Sequence, residues 1–552
     1  AEEGGRIVAR EAEGGLREIV GAEAEELGVA FLLGRDLIRG ERRARRRREV
    51  ALLVVIVGGI NGAAIARDAA LRGLSVCLLE KEDFGSGASS KTSKLAHGGL
   101  RYLEHFHFSL VRESLKERAL LLKNAPHLVH PLAFLVPYYK WWEPFFYGAG
   151  IKLYDCLANK ETLKPSYSLS SPQALEKIPP LNPKNLKKAD LYYDAQFDDA
   201  RMAVTLAKTA ASYGAVLLNY MEVTDFIKKD HKICGVRLKD QETQETFSPK
   251  AKVVINATGP FTDHLRQKDQ KESKKIIFPS QGIHLVLPSS FLKSNTALLI
   301  PRTEDKRVIF IIPWHNRVLL GTTDTPLKNP CPEPHPLKQE ITFLLKHSAH
   351  YLTTTPQEKD ILSLFAGLRP LVKQGDKSSS SISRDHTLIV SASHLLTITG
   401  GKWTTFRKMA EDTIDKAIEI ADLSKKRCIT PTLKLKGYQL GLDPQDPLTV
   451  YGSEREKIEE IIEENQSFKE KIHPHLPYIK AEIIFALRHE MARTLEDVLS
   501  RRTRALLLDA QATISCAPEV AALLAKELKL TKTEQEKEVE TFLKIAENYY
   551  LR

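Results

Sequence analysis

Three glycines and one acidic residue in the first part of the chain have the types and spacing of a nucleotide-binding unit. Gly58, Gly59 and Gly62 follow an apolar run at 54–57, and Glu80 ends a second apolar run. Glycine allows the backbone to approach a pyrophosphate closely, and the amides that open the next helix favour an anion. A carboxylate after the second strand can accept hydrogen bonds from an adenosine ribose. An acid there disfavours a 2′-phosphate, so the pattern favours FAD or NAD over NADP.

The elements that must position these residues form a strand, a helix and a second strand. The sequence predicts strands at 54–57 and 75–79, with a helix over 61–72 that Gly73 ends. Val57 stands where the Gly-x-Gly-x-x-Gly fingerprint has its first glycine. Either Val57 adopts backbone angles that are awkward for a β-branched residue, or one residue is missing and the turn is tighter.

Composition sets the broad class. The 552 residues are too many for one hydrophobic core, so we expect two or three domains. The net charge of +11 suits an anionic partner but does not distinguish nucleic acid, a membrane surface and a phosphorylated substrate. The six cysteines form no C-x-x-C pair, which argues against a metal site or a disulfide framework and fits a reducing compartment.

The first 49 residues differ in composition from the rest. They contain eleven arginines and no lysine. They also contain many acids, which a mitochondrial presequence would lack, so we expect a flexible basic segment; a misassigned gene start fits equally well. The uncharged run at 50–66 resembles a signal anchor, but a strand and a helix with a glycine turn explain it without lipid.

The next segment carries a family resemblance. SSKTSKLAHGGLRYLEH, which starts at Ser89, closely resembles a signature of FAD-dependent glycerol-3-phosphate dehydrogenases, membrane-associated enzymes that pass electrons to quinone. The resemblance covers roughly residues 50 to 510. It continues in these segments: DAQFDDAR (194–201), VVINATG (253–259), FAGLRPL (365–371), SRDH (383–386), TGGKWTTFR (399–407) and EMARTLEDVLSRRTRALLLDA (490–510).

The resemblance implies a cofactor, a substrate and the residues that bind them. It assigns FAD to Gly58, Gly59, Asn61, Gly62, Glu80, Lys81, Ser89, Ser90, Lys94, Gly259, Gly401, Lys402, Trp403 and Thr404. It assigns glycerol 3-phosphate to Arg101, Tyr102, Thr322, Arg369 and Lys402, and arginine suits a phosphate dianion.

Two residues are candidates for catalysis. His97 is the candidate general base, because imidazole titrates near neutral pH; the alternative is a histidine that only hydrogen-bonds the flavin edge. Arg369 is expected to stabilise the developing alkoxide as well as to bind phosphate.

The predicted fold class is α/β: an FAD-binding Rossmann-like domain, a substrate domain with a mixed or antiparallel sheet, and a C-terminal all-helical cap. The predicted segments are 50–135, 195–265 and 365–425 for the FAD-binding domain, 136–194 and 266–364 for the substrate domain, and 430–552 for the cap. We also expect a helix over 108–124 and one last helix over about 518–550. Arg501, Arg502 and Arg504 are expected on a solvated helix face.

Partners and alternatives follow from the same pattern. The aromatic and basic stretch at 137–160 fits either a wall of the substrate domain or an interfacial anchor, and the resemblance favours contact with an anionic membrane surface. We therefore expect a peripheral protein at the cytoplasmic face of the cell membrane or in the cytoplasm, with a membrane quinone as acceptor, no nucleic-acid partner and a possible homodimer. The alternatives are an oxidase that uses oxygen and a catalytically impaired flavin-binding protein.

Overall fold

The computed structural model describes residues 51–301, 303, 307–372 and 386–551, so the segment 1–49 and residues 383–385 of the SRDH match lie outside it. The strands are, in chain order, β1 Ala51–Ile56, β2 Val76–Leu79, β3 Leu95–Ala96, β4 Val129–Tyr138, β5 Tyr167–Ser170, β6 Lys188–Phe197, β7 Val216–Leu218, β8 Met221–Lys229, β9 Lys232–Asp240, β10 Thr246–Phe247, β11 Ala251–Asn256, β12 Ile277–Pro288, β13 Ala297–Ile300, β14 Ile309–Trp314, β15 Arg317–Gly321, β16 Thr325–Pro326, β17 Ser363–Val372, β18 His386–Val390 and β19 Leu395–Gly400.

The α-helices of the described residues are α1 Ile60–Leu71, α2 Phe108–Asn124, α3 Glu143–Ala158, α4 Ser171–Lys177, α5 Asp199–Ser212, α6 Thr262–Asp269, α7 Lys338–Ala349, α8 Phe406–Ile420, α9 Arg455–Glu464, α10 Lys480–His489, α11 Ala505–Leu508, α12 Ala510–Leu528 and α13 Lys532–Ala546. Within the part of the chain that the structure describes, no helix combines the length and apolarity that a membrane span requires.

A six-stranded sheet carries the glycine turn. Its order is β18-β19-β11-β1-β2-β7, and all pairs except β18 with β19 are parallel. The central strand β1 is an apolar run whose described residues from Leu53 to Ile56 are buried, as expected for a parallel strand covered on both faces. Helices α1, α5 and α8 contribute to the core on this sheet, so the predicted Rossmann-like unit is confirmed.

A ten-stranded sheet forms the second body. Its main order is β16-β12-β15-β14-β13-β4-β6-β3, with β17 beside β12 and β5 beside β6, and its pairs are antiparallel except β13 with β4. The predicted boundaries placed most of β4 and β17 in the FAD-binding segments, whereas both strands pair within this sheet. An apolar run shows that a strand is buried but does not show which sheet it joins.

The C-terminal part is helical but differs from prediction in two details. The expected last helix is two helices, because Lys529 adopts left-handed angles (φ 57°) after α12 and Thr531 caps α13 by accepting the amide of Glu534. The expectation for Arg501, Arg502 and Arg504 is wrong, because all three are buried and paired with carboxylates. The sequence pattern missed this because the partner carboxylates lie hundreds of residues earlier in the chain.

Candidate active site

The glycine turn connects β1 to α1. Val57 has φ 99°, a backbone conformation that favours glycine, so it occupies the place of the first fingerprint glycine and the alternative of a missing residue is wrong. Gly62 has to be glycine, because a Cβ there would be 1.6 Å from the carbonyl oxygen of Val57. At Gly58, a Cβ would be 2.4 Å from the ring of Phe84.

The turn fits the pyrophosphate of FAD. Among the described residues, none accepts a hydrogen bond from the amides of Gly59, Asn61 or Gly62 at the start of α1. The amide of Ile60 donates to Ser89 Oγ at 2.9 Å, which places Ser89 beside the same helix end. Three amides without protein acceptors at a helix N-terminus form a site for an anionic group.

Glu80 lies behind this turn. Its Oε2 accepts the amide of Gly58 at 2.7 Å, and its Oε1 accepts the amide of Glu82 at 3.0 Å. Burial raises the pKa of Glu80 to about 7, although the two amide hydrogen bonds act in the opposite direction. Lys81 points elsewhere, because its side chain is 58% exposed and its ammonium is 3.4 Å from Glu222.

The segment at 89–94 is tied to the protein through Lys94. Its buried ammonium donates to the carbonyl of Ser90 at 2.6 Å and to both carboxylate oxygens of Asp199 at 2.7 and 2.8 Å. It also lies 5.4 Å from the ring centroid of Trp314 and 5.3 Å from that of Phe365. These contacts use the three donors of the ammonium, so Lys94 shapes the segment from within rather than facing a ligand.

One group of predicted site residues meets around His97. The amide of His97 and the hydroxyl of Thr404 are 3.3 Å apart, and the same hydroxyl is 3.3 Å from the carbonyl of His97. The ammonium of Lys402 lies 3.9 Å from the ring centroid of Tyr102 and donates to Ser114 Oγ at 2.9 Å. The structure therefore brings together the HGGLRY and GGKWTT segments.

A second group lies on the large sheet around Arg369. Its Nη2 donates to Thr322 Oγ1 at 3.1 Å, and its Nη1 is 3.3 Å from Asp324 Oδ1. A Cβ on Gly282 of β12 would be 2.3 Å from the Arg369 guanidinium, so the glycine makes space for this side chain. Thr322 and Arg369, both predicted to bind substrate, are direct neighbours.

The remaining predicted residues belong to neither group. Trp403 packs on Phe197 with ring centroids 4.0 Å apart, and its Nε1 donates to the carbonyl of Ser89 at 3.4 Å. Gly259 has φ 52° and open space around its Cα, and Gly401 has φ 75°. Arg101 is half-buried and makes no hydrogen bond or ion pair with a described residue.

His284, which was not among the predicted site residues, lies in β12 beside the Arg369 group. Its Nε2 is 2.8 Å from Ser93 Oγ, its ring stacks on Phe365, and its buried Nδ1 has no hydrogen-bond partner among the described residues. Burial, with the charges of Lys94 and Arg369, lowers the pKa of His284 well below 6.5. The signal was a histidine in the apolar run GIHLVLP, where an apolar residue would suit the strand better.

Two family models match the chain. The model of FAD dependent oxidoreductases matches residues 53–407, and the model of the C-terminal domain of alpha-glycerophosphate oxidase matches residues 393–535.

Known proteins agree with these matches. The mitochondrial glycerol-3-phosphate dehydrogenase of Mesocricetus auratus is 40% identical over 530 residues, which are 89% of this chain and 72% of that protein. The glycerol-3-phosphate dehydrogenase of Bacillus halodurans, solved with FAD, is 29% identical with a TM-score of 0.75 over 91% of this chain and 95% of that one. The L-alpha-glycerophosphate oxidase of Mycoplasma pneumoniae, 18% identical with a TM-score of 0.55 over 72% of this chain and all of that one, shares the fold. The chain therefore belongs to the family of FAD-dependent glycerol-3-phosphate dehydrogenases, and its cofactor is FAD.

Proposed function

We propose that this protein oxidises sn-glycerol 3-phosphate to dihydroxyacetone phosphate. The observation that carries the proposal is that residues 89–102 connect the glycine turn with both groups of polar side chains. Ser89 contacts the start of α1, Ser93 contacts His284 beside Arg369, and Tyr102 lies against Lys402. Arg369 in turn donates to Thr322. When bound, FAD supplies the acceptor for the hydride that leaves C2 of the substrate.

The phosphate dianion needs fixed positive charge. Arg101 makes no hydrogen bond or ion pair with a described residue, and such a guanidinium suits bidentate binding of phosphate. Arg369 is held in orientation by Thr322 and Asp324, so it binds without losing much side-chain freedom. Lys402 adds a third charge near Tyr102.

The hydroxyl on C2 must lose its proton when C2 loses its hydrogen as a hydride. We infer that His97 accepts this proton, because its backbone is fixed on both sides by Thr404 and it lies four residues before Arg101. His284 is the second candidate, because it is held neutral and has an open Nδ1. Arg369 would stabilise the oxygen as negative charge develops on it.

The test uses the colour of the oxidised flavin. Glycerol 3-phosphate added without oxygen should bleach the flavin absorbance of the purified protein, whereas glycerol should not. A flavin that stays oxidised would support the alternative of a catalytically impaired flavin-binding protein. The same reaction in air distinguishes the two enzymes. A dehydrogenase should form little peroxide and reduce a quinone analogue faster than oxygen, whereas an oxidase should form one peroxide for each substrate oxidised.

For the acceptor and location we propose a membrane quinone and peripheral attachment to an anionic membrane surface. The stretch at 137–160 supports this, because Trp141, Phe145 and Phe146 are 78, 75 and 55% exposed. The sequence favours the cytoplasmic face of the cell membrane. The one relative named above as mitochondrial suggests mitochondria as the alternative, and cell fractionation distinguishes the two locations. We propose no nucleic-acid partner, and sedimentation tests the predicted homodimer.

A further inference from the structure

A turn of the C-terminal domain inserts three arginines into the FAD-binding domain. The arginine turn, residues 497–504, contains the π-helical segment Asp497–Arg502 followed by Arg504. Arg501, Arg502 and Arg504 are 3, 0 and 1% exposed. Burial of three cations in one turn is costly unless each is paired, so their partners determine what the turn does.

Arg501 and Arg502 both bind Asp83. Arg501 Nε lies 2.5 Å from Asp83 Oδ2, and Arg502 donates through Nη1 and Nη2 to both carboxylate oxygens at 2.6 and 2.8 Å. Burial alone would raise the pKa of Asp83, but the two guanidinium groups hold it below its usual value. Asp83 therefore stays charged and depends on the arginine turn for its partners.

Asp83 belongs to the loop that carries Glu80. The amide of Gly85 donates to the carbonyl of Gly58 at 3.1 Å, and the amide of Met221 donates to the carbonyl of Glu80 at 2.7 Å. Glu80 in turn accepts the amide of Gly58. The loop therefore packs against the glycine turn on the side where Glu80 would bind the adenosine ribose. Asp83 connects this loop to the C-terminal domain.

Arg504 reaches the other end of the site. Its Nη2 lies 2.7 Å from Asp198 Oδ2, and Asp198 caps α5 by accepting the amide of Arg201 at 3.0 Å. The next residue, Asp199, binds Lys94 and accepts both the amide and the hydroxyl of Thr92, at 3.0 and 2.7 Å. The arginine turn therefore contacts the loop that carries Glu80 directly and reaches residues 89–94 only through the start of α5, and none of its residues lies in the glycine turn.

We propose that the arginine turn is a positioning element that sets FAD affinity from the C-terminal domain, with Arg502 holding the Glu80 loop through Asp83. The inference rests on FAD binding at the glycine turn. Without Arg502, Asp83 keeps one buried partner instead of two, and the loop that presents Glu80 loses its fixed position.

The experiment is an FAD titration of the full-length apoprotein, followed by flavin fluorescence, for wild type, Arg502→Gln and Arg502→Lys. The matched control is Lys208→Met, which breaks buried ion pairs with Glu454 (2.7 Å) and Glu490 (3.2 Å) at the same domain boundary. Arg502 donates to the backbone carbonyl of Glu490, which this control keeps, and the control leaves both arginine partners of Asp83 in place. Melting temperatures of the apoproteins are measured in parallel.

We expect Arg502→Gln to raise the Kd for FAD by about 10- to 100-fold, a loss typical of residues that orient a binding site from behind. Arg502→Lys keeps the charge but not the two parallel hydrogen bonds, so its Kd should lie between those of wild type and Arg502→Gln. Lys208→Met should lose thermal stability and keep the wild-type Kd. At saturating FAD, both Arg502 variants should reduce their flavin with glycerol 3-phosphate at near wild-type rate, which separates this proposal from that of the reaction itself.

The proposal is overturned if Arg502→Lys and Arg502→Gln bind FAD as wild type does while losing stability like Lys208→Met. It is equally overturned if Lys208→Met weakens FAD binding as much as Arg502→Gln does. If Arg502→Gln does not fold, the comparison of Arg502→Lys with Lys208→Met decides in the same way.

Discussion

The amide of Val57 donates to the carbonyl of Leu79 at 2.7 Å, one residue beyond the end of β1. This hydrogen bond continues the contact between β1 and β2 and holds Val57 at φ 99°. A β-branched residue in this region carries strain of about 1–3 kcal/mol. The turn that approaches the pyrophosphate is therefore held in place at a cost.

We expect Val57→Gly to bind FAD about 5- to 150-fold more tightly, because valine can relax this strain when the apoprotein turn fluctuates but must adopt it again to bind FAD. Flavin occupancy after purification and melting temperature should both rise. Val57→Ala is the matched control, because it removes the branching but keeps a Cβ at positive φ, and it should recover little. Unchanged or lower flavin content in Val57→Gly would show that the turn is adapted to valine.

We expect His97→Ala to lower the rate of anaerobic flavin reduction by about 100-fold or more with FAD still bound, as is typical for loss of a general base. Stopped-flow absorbance measures this rate. His284→Ala is the comparison, because His284 is the second candidate base and its buried Nδ1 has no hydrogen-bond partner among the described residues. A larger loss in His284→Ala than in His97→Ala would transfer the role of base to His284.

Arg101→Ala should weaken binding of glycerol 3-phosphate by about 1.5–3 kcal/mol, the range for hydrogen bonds to charged groups. Glycerol lacks the phosphate, so wild type and Arg101→Ala should oxidise glycerol equally slowly. Kinetics with the two substrates measures the difference. An equal loss with glycerol would mean that Arg101 maintains structure instead.

FAD affinity should depend on pH through Glu80. Burial raises the pKa of Glu80 to about 7 in the apoprotein, and ribose hydroxyls that donate to it favour the charged form. Binding then releases a proton below about pH 7, so affinity should increase as pH rises to about 7 and become constant above it, by at most about tenfold per pH unit. Titrations between pH 5.5 and 8.5 measure this, and Glu80→Gln should remove the slope. If the FAD affinity of Glu80→Gln still increased with pH, another titrating group would be responsible for the pH dependence.

The exposed aromatic face should bind lipid. Phe145 and Phe146 start α3, and Phe145→Ser with Phe146→Ser should shift the protein from the pellet to the supernatant with anionic vesicles. Tyr213→Ser, at a 49% exposed aromatic residue in another part of the surface, is the control and should leave pelleting unchanged. Equal pelleting of all three proteins would remove this face from membrane binding.

The sequence pattern correctly predicted those helices and strands whose formation depends on residues close together in the chain. The helix over 108–124 is α2 with the same bounds, and the strand–helix–strand unit at the glycine turn was placed within a few residues. The burial of Arg501 depends on Asp83, which is 418 residues away, and no local pattern shows such a pair. His284 was missed for the same reason, because its environment comes from Ser93 and Phe365 on other segments.

The long separation between Asp83 and the arginine turn also determines when the cofactor site is completed during synthesis. Asp83, in the loop after β2, is made 418 residues before Arg501 and 419 residues before Arg502, its two buried partners. The central sheet is similarly incomplete until β19 pairs with β11. Until then, Asp83 lacks its buried partners. We therefore expect stable loading of FAD only after the residues through Arg502 have been made.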